Sequence, residues 1–286
     1  MTRKLCLSAA ALTLMFGSPA LAAPAMWTIA DDNSSLTMFG SIHIMPKNTE
    51  WRTELFDQKL DGADYLVFET DLSPRAIAEI GAYALVAGTY TDGTLLTTAM
   101  DETLEAQLRE TAKSIGLPFG TILAMKPWMA ANTISVQTLM SGGFAEKGVE
   151  FLVYPEALAG NVRWLESGEQ QIDYMAGLSD DAQWELLKSS VEDTDDALKL
   201  TSKMVSSWAS GETERLGELI LEEMAKTPEV ADSLLFERNS KWVPQIAEML
   251  AKDENAMLIV GAGHLAGEGN VLELLEAEGY TVTRIQ

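Results

Sequence analysis

Cysteine is all but missing, with Cys6 the single example in 286 residues. It lies in an apolar N-terminal stretch, so the remainder of the chain can form neither a disulfide nor a thiolate metal site, and thiol catalysis is excluded. Histidine is nearly as scarce: there are 2, His43 and His264. Positive charge is also in deficit, with 20 Lys and Arg against 43 Asp and Glu and a formal net charge of -23. A chain of that sign repels nucleic-acid phosphates and anionic lipid, and it draws cations toward any cleft. Beyond the N-terminal stretch no run is long and apolar enough to span a bilayer. The patterns His-Glu-x-x-His, Gly-x-Ser-x-Gly and Gly-x-x-x-x-Gly-Lys-Ser/Thr are all absent, which removes three common hydrolase and nucleotide-binding signatures.

What is present begins with Arg3 and Lys4, the apolar stretch "LCLSAAALTLMF", then Gly17, Pro19 and the small-residue pattern Ala20-Leu21-Ala22. This order reads as a secretory signal peptide over residues 1–22, too short for a spanning helix, and it implies a periplasmic or secreted protein with no stable membrane anchor after cleavage. The leader carries two basic and no acidic residues, so the exported chain, 23–286, is more acidic still.

Residues 26–44 read as two strands joined by an Asp-Asn-Ser turn, a hairpin. After Pro46, the spacing of Trp51, Leu55, Phe56 and Leu60 predicts a helix capped by Asn48 or Thr49 and stopped at Gly62. "DYLVFETD" then reads as a buried strand whose exit carries Glu69 and Asp71, completing a β-helix-β unit with a parallel connection. From about 73 to 252 the pattern is mainly helical, including "FGTILAMKPWMAANTISVQTLMSG" and "KGVEFLVYPEALAG" as helical segments, with one strand at "NVRWLE". The chain finishes with a strand at "AMLIVGAGH", a helix from Asn270 to Glu278 and a short strand at "YTVTRIQ". The expectation is one α/β domain: a small central sheet built from N- and C-terminal β-helix-β units around a large helical insertion. Met and Trp residues scattered through the helices read as core filling.

Both histidines stand three residues after a glycine that ends an apolar run, in "LTMFGSIHIM" and "MLIVGAGHL". In an α/β sheet such positions lie outside the carboxyl ends of the strands, where functional groups collect. His43, Glu69 and His264 all occupy that kind of position, and side chains leaving neighbouring strands about 4.8 Å apart can meet on one divalent ion. Two imidazoles and a carboxylate are a common ligand set for Mn, Co, Zn or Fe, with positions left for water and substrate. Glycine has a reason to be there, since a residue without Cβ lets an ion or substrate come close to the backbone. A rival reading takes Gly261 to Ala266 as a Gly-x-Gly-x-x-Ala dinucleotide fingerprint, but only one helix and one short strand follow it, too little for such a domain. Ser41, two residues before His43, reads as structural rather than nucleophilic. Asp71 reads as a turn or helix-cap residue before Pro74.

These residues resemble the TraB/GumN family, which includes the animal Tiki proteins and is marked by two Gly-x-x-His motifs with an acidic residue between them: here Gly40-Ser41-Ile42-His43, Glu69 in "VFETD", and Gly261-Ala262-Gly263-His264. Further marks similar to the bacterial branch are "KPW" at Lys126 to Trp128, "GVE" at Gly148 to Glu150, "LES" at Leu165 to Ser167 and "RN" at Arg238-Asn239, and the likeness spans nearly all of 23–286. The resemblance implies a compact core shared with erythromycin-esterase-like and ChaN-like proteins, and metal-dependent peptidase activity as in the Tiki branch. It points to His43, His264 and Glu69 as metal ligands, with Glu69 as ligand or general base. Glu150 is implied as a further ligand or proton carrier, and Arg238 as a group that binds a substrate carboxylate or stabilises charge, against the alternative of a surface ion pair. The expected function is an exported metal-dependent hydrolase acting on a peptide or protein substrate. The alternatives are a periplasmic binding protein that holds a peptide, haem or metal through the same histidines, and an interaction protein whose old active site is structural.

Overall fold

The computed structural model describes residues 22–145, 147–157, 160–192 and 194–286. The expected leader, apart from its last residue Ala22, lies outside them. The strands are β1 (Met26–Ala30), β2 (Ser35–Ser41), β3 (Met45–Pro46), β4 (Tyr65–Phe68), β5 (Phe144–Ala145), β6 (Val162–Trp164), β7 (Ala256–Gly261) and β8 (Thr281–Arg284). The helices between β3 and β5 are α1 (Glu54–Gly62), α2 (Pro74–Gly88), α3 (Glu102–Ser114) and α4 (Pro127–Ser141); α5 (Val149–Val153) precedes β6. After β6 come α6 (Gly168–Ala176), α7 (Asp180–Val191), α8 (Thr194–Ala209), α9 (Thr213–Met224), α10 (Pro228–Ala231) and α11 (Glu237–Ala251), and α12 (Val271–Ala277) separates β7 from β8. Among the described residues no helix is long and apolar enough to cross a membrane.

The fold is mixed α/β, with a six-stranded sheet in the order β6-β4-β7-β2-β1-β8. The first four strands of that order run parallel, and β1 is antiparallel to both of its neighbours. The expected hairpin is there: Met26 faces Phe39, Ala30 faces Ser35, and Asp31 closes the turn by accepting from the N–H groups of Asn33 (3.0 Å) and Ser34 (2.8 Å). β2 and β4 are parallel, as their connection predicts, but β7 slots between them. All six residues of β7 are buried, in keeping with an apolar run that occupies the middle of a parallel sheet. Its side chains alternate, Leu258 and Val260 facing α11 and α12 while Met257 and Ile259 face an aromatic layer of Phe39, Phe56, Phe68 and Trp208. A third apolar cluster joins α3, α4 and α7 through residues such as Leu108, Ile134 and Leu187.

Three expectations need correction. The first helix begins not at Asn48 or Thr49 but at Glu54, because Thr53 supplies the cap, its side chain accepting from the N–H of Phe56 (3.1 Å). Trp51 imitates helical spacing but is buried from the extended segment before the helix, edge-on to Phe56 with ring centroids 5.1 Å apart. The stretch from Phe119 starts with a single tight turn at Phe119–Thr121, and α4 starts only at Pro127, where proline's missing N–H costs nothing. "KGVEFLVYPEALAG" yields only the five residues of α5 before Pro155 and a tight turn at Tyr154–Glu156. The small β3–β5 sheet, with Met45 facing Ala145 and Pro46 facing Phe144, had no signal because two residues are too few to show a period.

Candidate functional site

The four parallel strands each deliver a polar group to the same edge of the sheet. Glu166 follows β6, Glu69 is the residue after β4, His264 lies in the tight turn Ala262–His264 that follows β7, and Ser41 ends β2 with His43 just beyond. The structure therefore brings together His43, Glu69 and His264, which lie far apart in the chain. Both glycines of the paired motif are explained by contacts. A Cβ on Gly40 would stand 3.1 Å from the Ala262 Cα, so Gly40 lets β2 close against the turn after β7. A Cβ on Gly261 would stand 3.0 Å from Glu69 Oε1, 3.4 Å from His43 Nε2 and 3.6 Å from His264 Cδ2. The second glycine thus keeps open the point that all three side chains face.

Each imidazole is oriented from behind. Asn239, on α11, donates its amide to the Gly269 carbonyl (2.9 Å), which leaves its Oδ1 to accept from His264 Nδ1 at 2.6 Å. His264 therefore carries its proton on Nδ1, and its unprotonated Nε2 lies 3.8 Å from Glu69 Oε1. The ring also packs at a tilt of 44° against Trp242, centroids 4.2 Å apart. His43 Nδ1 lies 2.9 Å from Glu150 Oε1, on α5, and the same oxygen accepts from the Ser41 hydroxyl, so Ser41 has the structural role expected of it. Glu150 Oε2 is buried and has no hydrogen-bond partner among the described residues. Gly148, at the start of α5, is packed so tightly that a Cβ there would stand 2.5 Å from the His43 Cα.

Arg238 is not a surface residue. It is 8% exposed, and its Nη2 donates to Glu69 Oε2 and to Glu166 Oε1, both at 2.6 Å. Gln171 on α6 bridges the same two oxygens at 3.0 Å each, and Trp242 Nε1 donates to Glu166 Oε2 at 3.2 Å. Glu69 Oε1 accepts from the Gly261 N–H at 2.7 Å. Asp71 accepts from the Ser73 N–H (2.8 Å) and Tyr154 donates to the same carboxylate (3.1 Å), the turn role of the two the sequence suggests; the cap of α2 is Ser73.

The ionisation states divide sharply. Burial opposes charge on Glu69, yet the neighbouring imidazoles, the Arg238 guanidinium and the Gly261 N–H outweigh it and hold the carboxyl below its ordinary range. Burial, reinforced by Arg238, lowers His264 to about 3 and keeps it neutral. The Glu150 carboxylate raises His43 to about 9, although its side chain is 60% exposed at the mouth of the site. Two carboxylates, Glu69 and Glu166, thus hold one buried guanidinium, while Glu150 holds His43. A buried carboxylate oxygen without a partner, two oriented imidazoles and the open point beside Gly261 together suit a divalent cation. Among the described residues no three His, Asp or Glu side chains are closed to the spacing of a formed metal cage; the donors face one point without enclosing it.

Glu166 and Gln171 escaped the sequence reading as site residues. Glu166 shared the signal that picked out Glu69, a carboxylate at the exit of a strand, and lay in the expected strand "NVRWLE" and in the "LES" mark, but it was given no role of its own; Gln171 and Trp242 had no signal at all. The dinucleotide reading fails locally, since the helix after β7 starts at Val271 rather than at the glycines, leaving no helix N-terminus over Gly261.

A sequence model described as the TraB/PrgY/gumN family matches residues 25–284. No curated protein and no solved structure matches the chain.

Proposed function

The chain belongs to the TraB/PrgY/gumN family, and from that premise we propose an exported, metal-dependent hydrolase that cuts peptide bonds, with His43, His264 and Glu69 as the metal ligands. One observation carries the reading: each imidazole has its Nδ1 held by an acceptor, so that Nε2 of His43 and the ring of His264 face the point beside Gly261 that Glu69 also faces. Acceptors behind ligating histidines are what orients such ligands and raises their basicity. When bound, a divalent ion (Mn, Co, Zn or Fe) supplies Lewis acidity and a water that ionises near neutral pH.

The chain's own groups divide the remaining work. Glu69 has both oxygens engaged, by Gly261 and by Arg238 with Gln171, and so holds charge rather than a moving proton. Glu150 has one oxygen committed to His43 and Ser41 and the other, Oε2, without a hydrogen-bond partner among the described residues; it is the group able to take a proton from attacking water and return it to the leaving amine. Arg238 keeps Glu69 ionised and in place. Support for the peptide substrate and for export comes from the family resemblance and the N-terminal leader. The erythromycin-esterase/ChaN-like core is likewise part of the proposal, supported by a mixed sheet whose four parallel strands gather their polar groups at the strand exits.

The test compares the purified protein with His43→Ala and His264→Ala for bound metal and for cleavage of a denatured-peptide library. Loss of metal and of cleavage in both is expected. Unchanged metal content in both variants sinks the shared site, and metal binding without any cleavage moves the assignment to the non-catalytic binder.

A further inference from the structure

Of the 15 residues of α2, Gly88 at its end is the one that is buried. One face of the helix is taken: Ile80 presses on Gly168 and Tyr83 donates to Asp173 (2.7 Å), which fixes α2 against α6. The opposite face is apolar and open to water. Ile77, Ala78, Gly81, Ala82, Leu85 and Val86 follow one another at the i, i+3 and i+4 spacing of a helix surface. All six are exposed, Ile77 at 41%, Leu85 at 55% and Val86 at 72%. A contiguous stripe of that kind marks a surface that another element covers. Gly81 is the second oddity. Glycine in the middle of a helix weakens it relative to alanine, and the single chain has no need of one here, since a Cβ at Gly81 would meet nothing within 4 Å. The missing side chain gains a use once another backbone comes close.

We propose that this face binds a second copy of the chain, the two α2 helices packing antiparallel about a two-fold axis between Gly81 and Ala82. In that register Ala78 of each copy falls opposite Leu85 of the other, so a large side chain seats on a small one twice over, and Gly81 and Ala82 let the helices approach at the axis. Charge favours the same pairing. The chain carries a net charge of -23, so copies repel one another over much of their surface, but α2 is neutral, its charged residues Arg75 and Glu79 being paired at 2.8 Å. Antiparallel packing brings Arg75 of each copy to the last turn of the other α2, which has no basic residue of its own and whose carbonyls attract a cation. Parallel packing would set Arg75 on Arg75. The six residues expose on the order of 450 Å² per copy. Both copies together give about 900 Å², which the flanking side chains bring to the ~1,000 Å² of a small specific interface, so the pair belongs at the weak end, with a dissociation constant on the order of 10 μM. A lipid surface is the rival occupant. Helices that lie on bilayers carry Lys and Arg along their polar face, and α2 has Arg75 alone.

Sedimentation equilibrium of the purified protein between about 1 and 100 μM is expected to show monomer passing to dimer. Gly81→Leu, which has room in the single chain, and Leu85→Glu should each weaken the dimer by about tenfold or more, while circular dichroism shows the fold retained. Met140→Glu, at an exposed apolar residue on α4, leaves the dimer intact. Ala82→Cys beside the axis, in a Cys6→Ser background, is expected to form a disulfide between copies when an oxidant is added. A monomer up to about 100 μM overturns the inference, and so does a dimer that survives Gly81→Leu or fails to cross-link through Ala82→Cys. Phosphatidylcholine vesicles test the rival: Gly81→Leu enlarges the apolar face, so vesicle binding by a monomer that this substitution strengthens overturns the second copy in favour of lipid.

Discussion

Replacing Gly261 by alanine tests the site without deleting any functional group. The backbone there, φ -53 and ψ 133, is open to any L-residue, so no strain arises from the main chain. The added methyl would stand 3.0 Å from Glu69 Oε1, 3.4 Å from His43 Nε2 and 3.6 Å from His264 Cδ2. Only the first of these is tight. Because Glu69 is pinned by Gly261 and Arg238, it yields with difficulty, and an overpacking cost of about 1–2 kcal/mol is expected. A metal ion needs donor distances of about 2.0–2.2 Å, whereas a methyl carbon keeps neighbours at about 3.5–4.0 Å, so the two compete for the same space. Metal affinity should fall by about 100-fold, the upper end of what disturbing a ligand's support costs. Gly40→Ala is the control: its methyl would press on Ala262, 3.1 Å from the Cα, at about 1–3 kcal/mol, yet it faces no donor. Urea midpoints in EDTA measure the stability of both variants, and calorimetric titration with Mn measures the site. Similar destabilisation with metal binding lost only in Gly261→Ala is the expected pattern; Gly261→Ala binding Mn within about twofold of the unaltered protein refutes the claim that the donors share that point.

Gly148→Ala drives a methyl into the Ile42 carbonyl and the His43 backbone; neither can rotate away, so a loss of about 3 kcal/mol or more and a drop in thermal midpoint are expected, and a stable variant would mean α5 can retreat. Glu166→Gln keeps the shape around Arg238 but removes one of its two charges, so a loss of about 1–3 kcal/mol is expected, together with weaker Mn binding in the same calorimetric titration; Glu166→Ala should cost more by leaving the guanidinium half-paired. In acid, His264 stays neutral down to about 3 while its unfolded counterpart takes up a proton below 6.5, so stability falls across that window by up to about 1.4 kcal/mol per pH unit. His43 acts oppositely: with its ionisation raised from 6.5 to about 9, its contribution is complete below 6.5 and is lost as pH rises toward 9, and its exposure keeps that contribution small. Urea midpoints of the unaltered protein minus those of His264→Gln should show the acid slope, and a flat difference would show that the ring is charged in the folded state.

The chemistry at the strand exits was legible because it rests on sharp local signals. An apolar run, a glycine and a histidine, met twice in a chain with two histidines, mark the same place in an α/β sheet, and the structure sets both at that edge with Glu69 between them. The hairpin was legible for a similar reason, since the Asp31 turn is built from its own side chain. Less was visible where the cause lies in tertiary contact. Trp51 has helical spacing but is drawn out of the helix by Phe39 and Phe56. Nothing in the spacing of Gln171 or Trp242 says that α6 and α11 will lean over Glu166, because only the folded sheet brings those helices to one strand exit. The placement of β7 between β2 and β4 had no local signal either, although its unbroken apolar character foretold burial on both faces.

The interior position of β7 has a consequence for how the protein comes into being. Its neighbours in the sheet are made some two hundred residues earlier, and until it arrives they have no partner for one row of backbone hydrogen bonds, nor His264 for the pocket. A chain emerging N-terminus first therefore cannot assemble the site gradually; the site comes together only with closure of this long-range pairing, a slow kind of step for any polypeptide.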